Sequence, residues 1–203
     1  MALAYLLEQI ESRGLARLTN PGAYLEAHPP THEVEIFEKS SWSCAHGIAR
    51  WWSDCGCNSG GHSRWNQAWR TPLRDALDWL RDHVAPLWER KTQELLRHPW
   101  EARDDYIDVV LDRSDGAIET FLQRHAIQPL PAAQKTSALK LLELQRNAML
   151  MYTSCGWFFD DLAGIETIQV MKFAGRAVQL AQELFGNSLE AQFVQRLAAA
   201  KSN

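Results

Sequence analysis

The sequence lacks the features that would place it in a membrane, in a disulfide scaffold or on a nucleic acid. No apolar run approaches the ~18 residues that a spanning helix needs. The formal net charge of -4 comes from interspersed acids and bases, which favours neither nucleic acid nor an anionic membrane as a partner. Four cysteines among 203 residues are too few for a disulfide framework. The N-terminus also lacks the basic start of a signal peptide, so we expect a cytoplasmic protein with reduced thiols.

The sequence also has almost no alternation of apolar and polar residues, which excludes an extensive β-sheet. Only residues 33–37 alternate as an extended segment would. Elsewhere apolar residues recur every three or four positions, which is typical of helices with one buried face. Helices are predicted at about 2–18, 21–25, 65–97, 100–111, 114–126, 131–152, 166–185 and after 188, with a short one around Ile48, Trp51 and Trp52. The fold class is therefore all-α: a helical bundle with long kinked helices and two irregular segments that carry Cys and Trp.

Local signals set several features of these helices. Asn20 is a capping residue that precedes a first-turn proline, Pro21. Gly186 is a predicted C-cap, and Ser188 is a predicted N-cap of the last helix. Pro86 should kink the long helix, because proline removes a backbone donor and clashes with the preceding turn.

Tryptophan is abundant, and much of it lies in one stretch. Residues 40–69, SSWSCAHGIARWWSDCGCNSGGHSRWNQAW, hold five of the nine tryptophans, three of the four cysteines and two of the seven histidines. Large amphipathic rings are enriched in cores, at interfaces and on surfaces that stack on sugars. This stretch is the first candidate site.

The soft side chains of this stretch raise the question of a metal. Cys44, His46, Cys55, Cys57 and His62 are ligand types that zinc accepts. Structural zinc sites usually use C-x2-C or H-x3-H pairs, whereas the pairs here are C-x-H and C-x-C. Spacing therefore favours no bound metal and no other cofactor, with these five residues as the fallback ligand set. The alternative interpretation is that the cysteines are small apolar side chains buried in the core.

Redox and nucleophilic chemistry fit the same cysteines less well. A C-x-C pair is not the C-x-x-C of thioredoxin-like proteins, and bridging residues two apart strains a disulfide. A nucleophile built from Cys44 and His46 is conceivable, but neither helix nor strand geometry readily brings such side chains together. No catalytic residue is assigned.

The second candidate stretch is MLMYTSCGWFFDDLAGIET, residues 149–167. Trp157, Phe158 and Phe159 stand beside Asp160 and Asp161, a composition found in sugar sites, where rings stack on the sugar and carboxylates bind its hydroxyls. The structural alternative for Asp161 is capping of the following helix, which is the favoured interpretation.

Three motifs together resemble a known family. The motifs EIFEKSSWSCAHGIARWWSDCGC, WNQAWRTPLRDALDWLRD and LQRNAMLMYTSCGWFFDDLAGIETIQVM closely resemble the helical domain of unknown function 3536, over roughly Leu3 to Phe185. In that family the domain follows a glycoside hydrolase family 57 catalytic domain in one longer chain. Family 57 enzymes are retaining α-glucan hydrolases or glucanotransferases, with the catalytic pair on a distorted β/α barrel and a helical region that closes the cleft. This chain has no alternating strands and helices, so it lacks the segment that carries that pair.

The resemblance implies an accessory domain that helps to form a glycan-binding cleft and is not catalytic alone. It implies one helical domain over 1–203, with 1–39 as the junction to a catalytic barrel, 40–186 as the core and 187–203 as a C-terminal helix. The expected partners are that barrel and an α-glucan or oligosaccharide. The residues expected to bind it are Trp42, His46, Asp54, Trp157, Asp160 and Asp161.

Two alternatives remain open. The exposed tryptophans could instead dock only protein, but a protein interface depletes charge at its centre, whereas this sequence places carboxylates beside the rings. A self-contained glycosidase would need two carboxyl groups at a defined separation, and no such pair can be identified from sequence.

Overall fold

The computed structural model describes residues 2–62, 64–186 and 188–202. The chain divides into two compact units, Met1–Glu38 and Lys39–Asn203. The division lies next to the predicted end of the junction segment at residue 39. The two predicted segments 40–186 and 187–203 both belong to the larger unit.

The described part of the smaller unit forms helices α1 (Ala2–Ser12) and α2 (Pro21–Ala27). Asn20 caps α2 as predicted, because its side-chain oxygen accepts a hydrogen bond from the Ala23 amide at 2.9 Å. The first helix ends before the predicted residue 18, since the chain turns at Gly14 with a φ of +64°. Residues 33–37 do not lie in a strand.

The larger unit contains the remaining helices. They are α3 (Arg70–Gln93), α4 (Pro99–Asp105), α5 (Ile107–Leu111), α6 (Asp115–His125), α7 (Ala132–Leu150), α8 (Ile165–Phe185) and α9 (Glu190–Leu197). Single 3-10 turns lie at Ala49–Trp51 and Ser154–Trp157. The described residues contain no named strand, only one isolated bridge between Leu96 and Ala126. The all-α prediction is confirmed.

Helix α3 forms the centre of the larger unit and packs against α4, α7, α8 and α9. The apolar face predicted for it is buried, including Leu73, Leu80 and Val84. Trp88 extends this face and donates its indole N–H to the Leu141 carbonyl of α7 at 2.9 Å. Burial of such a face contributes about 25 cal/mol per Å² of apolar surface, which is the main force that assembles the bundle.

Several details differ from the sequence predictions. Helix α3 starts at Arg70 instead of residue 65, and runs through Pro86 to Gln93. The predicted helix around Ile48 and Trp52 is wrong, because only the turn at Ala49–Trp51 forms. Leu189, not Ser188, precedes the last helix, and no side chain caps it.

One predicted helix end is confirmed. Gly186 ends α8 in the left-handed conformation, with a φ of +72°, and its amide donates to the Gln182 carbonyl at 3.0 Å. Among the described residues, none of the helices combines the length and apolar character that crossing a bilayer requires.

Candidate functional site

The two irregular segments, residues 40–69 and 149–167, pack against each other. The guanidinium of Arg50 donates to the Phe158 carbonyl at 2.7 Å, and it also donates to the Ser43 carbonyl at 2.9 Å. The indole N–H of Trp69 donates to the Asp160 carbonyl at 3.2 Å. The structure therefore brings together two stretches that sequence reasoning could only consider separately.

Asp160 fastens the first segment to the second. Both of its carboxylate oxygens accept the Ser59 amide, at 3.0 and 2.8 Å, and one of them also accepts the Ser59 hydroxyl. Gln67 donates to the same carboxylate at 3.3 Å. The side chain is only 4% exposed, so its hydrogen bonds hold a loop in place and do not face solvent.

Trp157 lies in the core. Its exposure is 0%, and its ring stacks on that of Trp69 with the centroids 6.4 Å apart. A close approach behind it places Gly156 against Val170 of α8, where an added Cβ would meet a Val170 methyl at 2.3 Å. In this structure Trp157 supports the site from beneath and has no face open to a ligand.

Trp42 has the opposite environment. It is 93% exposed, and its ring stacks on Phe158 with centroids 6.2 Å apart and planes 26° apart. Phe158 in turn lies over the Arg50 guanidinium, at 4.7 Å, and meets the exposed Phe159 edge to face. We call Trp42, Phe158 and Phe159 the aromatic shelf. It is an apolar surface supported by a buried cation.

Four predicted metal ligands converge on one point of the first segment. The Sγ atoms of Cys44, Cys55 and Cys57 and a ring nitrogen of His46 all lie within 4.8 Å of one another. The His46 Nδ1 atom is 3.8 Å from Cys44 Sγ and 3.5 Å from Cys57 Sγ. We call these four residues the thiol cluster. All four cysteines of the chain are free thiols, and Cys155 lies outside the cluster and is exposed.

Two glycines shape the backbone that carries the cluster. Gly56 lies between Cys55 and Cys57 with a φ of +74°, and its amide donates to the Asp54 side chain at 3.2 Å. Gly47 follows His46 with a φ of +68°, so close to the Lys39 carbonyl that a Cβ would lie 2.6 Å from the oxygen. Side chains other than glycine rarely adopt these conformations, so both turns depend on glycine.

The surroundings of the cluster shift the pKa values of its thiols in different directions. Burial by itself raises the pKa of Cys44, but hydrogen bonds from the backbone and ring of His46, and from the Arg50 backbone, lower it to about 7. Burial raises the pKa of Cys57, and the neighbouring sulfurs of Cys55 and Cys44 raise it further. Three sulfurs this close resist joint deprotonation unless a cation balances them.

A buried arginine completes the surroundings of the cluster. Arg70, at the start of α3, donates to Cys55 Sγ at 3.6 Å and to the Phe159 carbonyl at 3.3 Å. Burial lowers the pKa of Arg70, whereas a negative charge on Cys55 and the carboxylate of Asp160 act in the opposite direction. Sequence analysis missed Arg50 and Arg70 as site residues, because an arginine carries no local signal that it will be buried.

The other predicted residues lie outside the cluster. His62 stacks on Trp65, with ring centroids 3.8 Å apart, and does not join the four ligands. Asp54 is exposed. The Asp161 carboxylate accepts the Ser202 hydroxyl at 2.7 Å, and Gly164, not Asp161, occupies the N-cap position of α8. The favoured capping role of Asp161 is therefore wrong.

A family model described as a domain of unknown function, DUF3536, matches residues 65–203. The match covers the second and third motifs and begins after the thiol cluster. The comparisons with curated proteins and with solved structures give no significant match.

Proposed function

We propose that this chain, which belongs to the DUF3536 family, is an accessory helical domain of an enzyme related to glycoside hydrolase family 57. In this proposal it follows a catalytic barrel in a longer chain and forms one wall of a cleft for an α-glucan or another oligosaccharide. The catalytic pair belongs to the barrel, and this chain is not an enzyme by itself.

The observation that carries the proposal is the aromatic shelf. A tryptophan exposed as fully as Trp42 leaves a large apolar surface in water, and covering it with a ligand recovers roughly 2 kcal/mol. Phe158 stacks on one face of the ring, which leaves the other face open to a ligand. A flat, open aromatic face is suited to stacking on the C–H face of a sugar ring.

Polar side chains of the same segments supply partners for sugar hydroxyls. His46 and Asp54 are exposed, and Asp161 is half-buried. Trp157 and Asp160 have a supporting role in this proposal, because both are buried beneath the surface. A surface used only for docking protein would instead be depleted of charge at its centre.

Titration with maltooligosaccharides, followed by NMR of the indole N–H signals, tests the proposal. Stacking and a few hydrogen bonds on one wall of a cleft should give an affinity no better than roughly millimolar, about 4 kcal/mol. The change Trp42→Ala should abolish the saturable shifts. Trp100→Ala, which removes another partly exposed tryptophan on α4, is the matched control and should leave them unchanged.

Three outcomes would contradict the proposal in different ways. Unchanged binding by Trp42→Ala removes the aromatic shelf from the site. Absence of any saturable shift favours the alternative of a protein-docking surface. Hydrolysis of the oligosaccharide by the purified chain overturns the accessory role. The coding sequence upstream of residue 1 supplies an independent check, because the proposal requires an in-frame barrel there.

A further inference from the structure

We infer that the thiol cluster is a structural zinc site, with Cys44, His46, Cys55 and Cys57 as its four ligands. The inference uses no sugar and no catalytic barrel, so it goes beyond the proposed function and does not depend on it.

The distances from His46 to two of the sulfurs match the edges of a tetrahedral zinc centre, and all four ligand atoms lie close enough to reach one ion. With Zn–S of about 2.3 Å and Zn–N of about 2.0 Å, the edges of the tetrahedron are about 3.5 Å for S–N and about 3.8 Å for S–S. The observed distances from His46 Nδ1 to the sulfurs of Cys57 and Cys44 are 3.5 and 3.8 Å, and every pair of ligand atoms lies within 4.8 Å. The four atoms can therefore bind one ion with only small side-chain movements.

Hydrogen bonds alone cannot satisfy all the groups that come together in the thiol cluster. The Nδ1 atom of His46 faces two sulfurs but carries either one lone pair or one hydrogen, so it can make a full hydrogen bond with only one of them. A metal ion at the centre engages that lone pair and all three sulfurs at once. Each sulfur then loses its proton to solvent as it binds.

The ligand set points to zinc among the common metals. Three thiolates and an imidazole in tetrahedral arrangement are soft ligands, which exclude Ca²⁺ and Mg²⁺ because these prefer oxygen. All four positions are filled by protein, which is typical of structural sites, whereas catalytic zinc keeps one position open.

The surroundings have the charge that such a centre needs. Zinc with three thiolates and a neutral imidazole carries about one negative charge. The buried guanidinium of Arg70 donates directly to Cys55 Sγ at 3.6 Å. Donors of this kind around the sulfurs orient and stabilise metal ligands from outside the coordination sphere. The negative charge of the zinc centre also gives the buried guanidinium of Arg70 a partner of opposite charge.

The spacing rule that argued against a metal considers only pairs close in sequence. Gly56 turns the chain between Cys55 and Cys57, and Gly47 turns it after His46, so the two short pairs approach each other in space. Such a site has a clear structural purpose here. In the fully described stretch 40–62 only Cys44 and Arg50 are buried, so apolar packing contributes little to holding this loop.

Metal content of the purified wild-type chain is the first test. The chain is purified without a chelating tag, dialysed against excess zinc, desalted and analysed for metal. We expect about one equivalent of zinc per chain. After removal by a chelator, titration with Co²⁺ should produce the visible absorption of tetrahedral thiolate coordination. Less than about a tenth of an equivalent of zinc, or an iron content in its place, would overturn the assignment.

Matched variants identify the ligands. His46→Ala and Cys57→Ser change side chains that are exposed or half-buried, so both should keep the helical circular dichroism spectrum. Each should weaken zinc binding at least about tenfold. Cys155→Ser and His62→Ala remove a cysteine and a histidine outside the cluster and should bind zinc as the wild type does. Wild-type affinity in both ligand variants would contradict the inference.

Thiol alkylation gives a readout that requires no variant. In the zinc-loaded chain, a maleimide should modify Cys155 first and spare the three cluster cysteines, as seen by mass spectrometry of peptides. Removal of zinc by a chelator should make all three cluster cysteines reactive toward the maleimide. Equal labelling of all four cysteines before and after chelation, or a disulfide within the cluster of freshly purified protein, would speak against bound zinc.

Discussion

The carboxylate of Asp160 accepts the backbone amide of Ser59 at 3.0 and 2.8 Å, although the two residues are 101 positions apart. This contact closes the loop that carries the thiol cluster onto the segment that carries Phe158 and Phe159 of the aromatic shelf. Both candidate sites therefore depend on one buried carboxylate.

The change Asp160→Asn should destabilise the protein by about 2–3 kcal/mol. In the wild type, the Asp160 carboxylate accepts hydrogen bonds from Ser59 and Gln67 with its two oxygens. Asparagine has only one side-chain oxygen, and its NH2 group would point hydrogens at one of these donors. Urea unfolding followed by circular dichroism measures the loss. Asp54→Asn is the matched control, since Asp54 is exposed and asparagine can still accept the Gly56 amide, and it should cost under about 0.5 kcal/mol. Equal stability of Asp160→Asn and wild type would remove the carboxylate from its supporting role.

Gly156→Ala should cost about 1–3 kcal/mol through overpacking. The new Cβ would lie 2.3 Å from a Val170 methyl and 3.3 Å from the Glu166 carbonyl oxygen, so α8 and the turn at Ser154–Trp157 must separate. Gly175→Ala, within α8, should change the stability in the opposite direction. No heavy atom lies within 4 Å of its added Cβ, and replacing a helical glycine should stabilise by about 0.5–1 kcal/mol. Thermal unfolding of both variants checks the pair, and a stabilised Gly156→Ala would show that the approach to α8 is loose.

Glu143 should make the stability of the protein depend on pH in the acid range. Burial by itself raises the pKa of this carboxyl, but hydrogen bonds from Arg113, Tyr106 and Arg146 together hold it below its ordinary value. Because the folded-state pKa is the lower one, the stabilisation is present above roughly pH 4.3 and is lost as the pH falls through the folded-state value.

The change Glu143→Gln should therefore lower the free energy of unfolding by about 1–2 kcal/mol at pH 7, and the difference from wild type should shrink below roughly pH 4. Glu119→Gln breaks an exposed surface pair with Lys135 and should cost under about 1 kcal/mol. Urea unfolding across the acid range measures both. A difference for Glu143→Gln that stays constant with pH would show that the charge of Glu143 is not what stabilises the contact.

The helices were predictable where their signals are local. The apolar face of α3, the Asn20 cap and the left-handed Gly186 all depend on residues within a few positions of one another, so the pattern in the sequence is sufficient to identify them. Membership in the DUF3536 family was likewise predictable from contiguous motifs and is confirmed over residues 65–203.

The candidate site was predictable only in part. The sequence identified which cysteines, histidines and aromatic residues are unusual, because composition alone makes them stand out. It did not distinguish Trp42, which is exposed, from Trp157, which is buried, since the residues that cover Trp157 include Trp69, which is distant in the sequence. The spacing of Cys44, His46, Cys55 and Cys57 also pointed away from a metal, although their ligand atoms meet in the folded chain.

The difference between the features that the sequence predicts and those that it does not has a physical cause. A helix hydrogen bonds within itself over four residues, so the sequence by itself determined the all-α class, most helix positions and the glycine that ends α8. Burial and convergence depend on partners far along the chain, such as Phe158 for Arg50 and Asp160 for Ser59, which are 108 and 101 positions apart. Only tertiary packing selects those partners, and it decided that Asp160 lies inside, that Trp42 lies outside and that four soft ligands share one point.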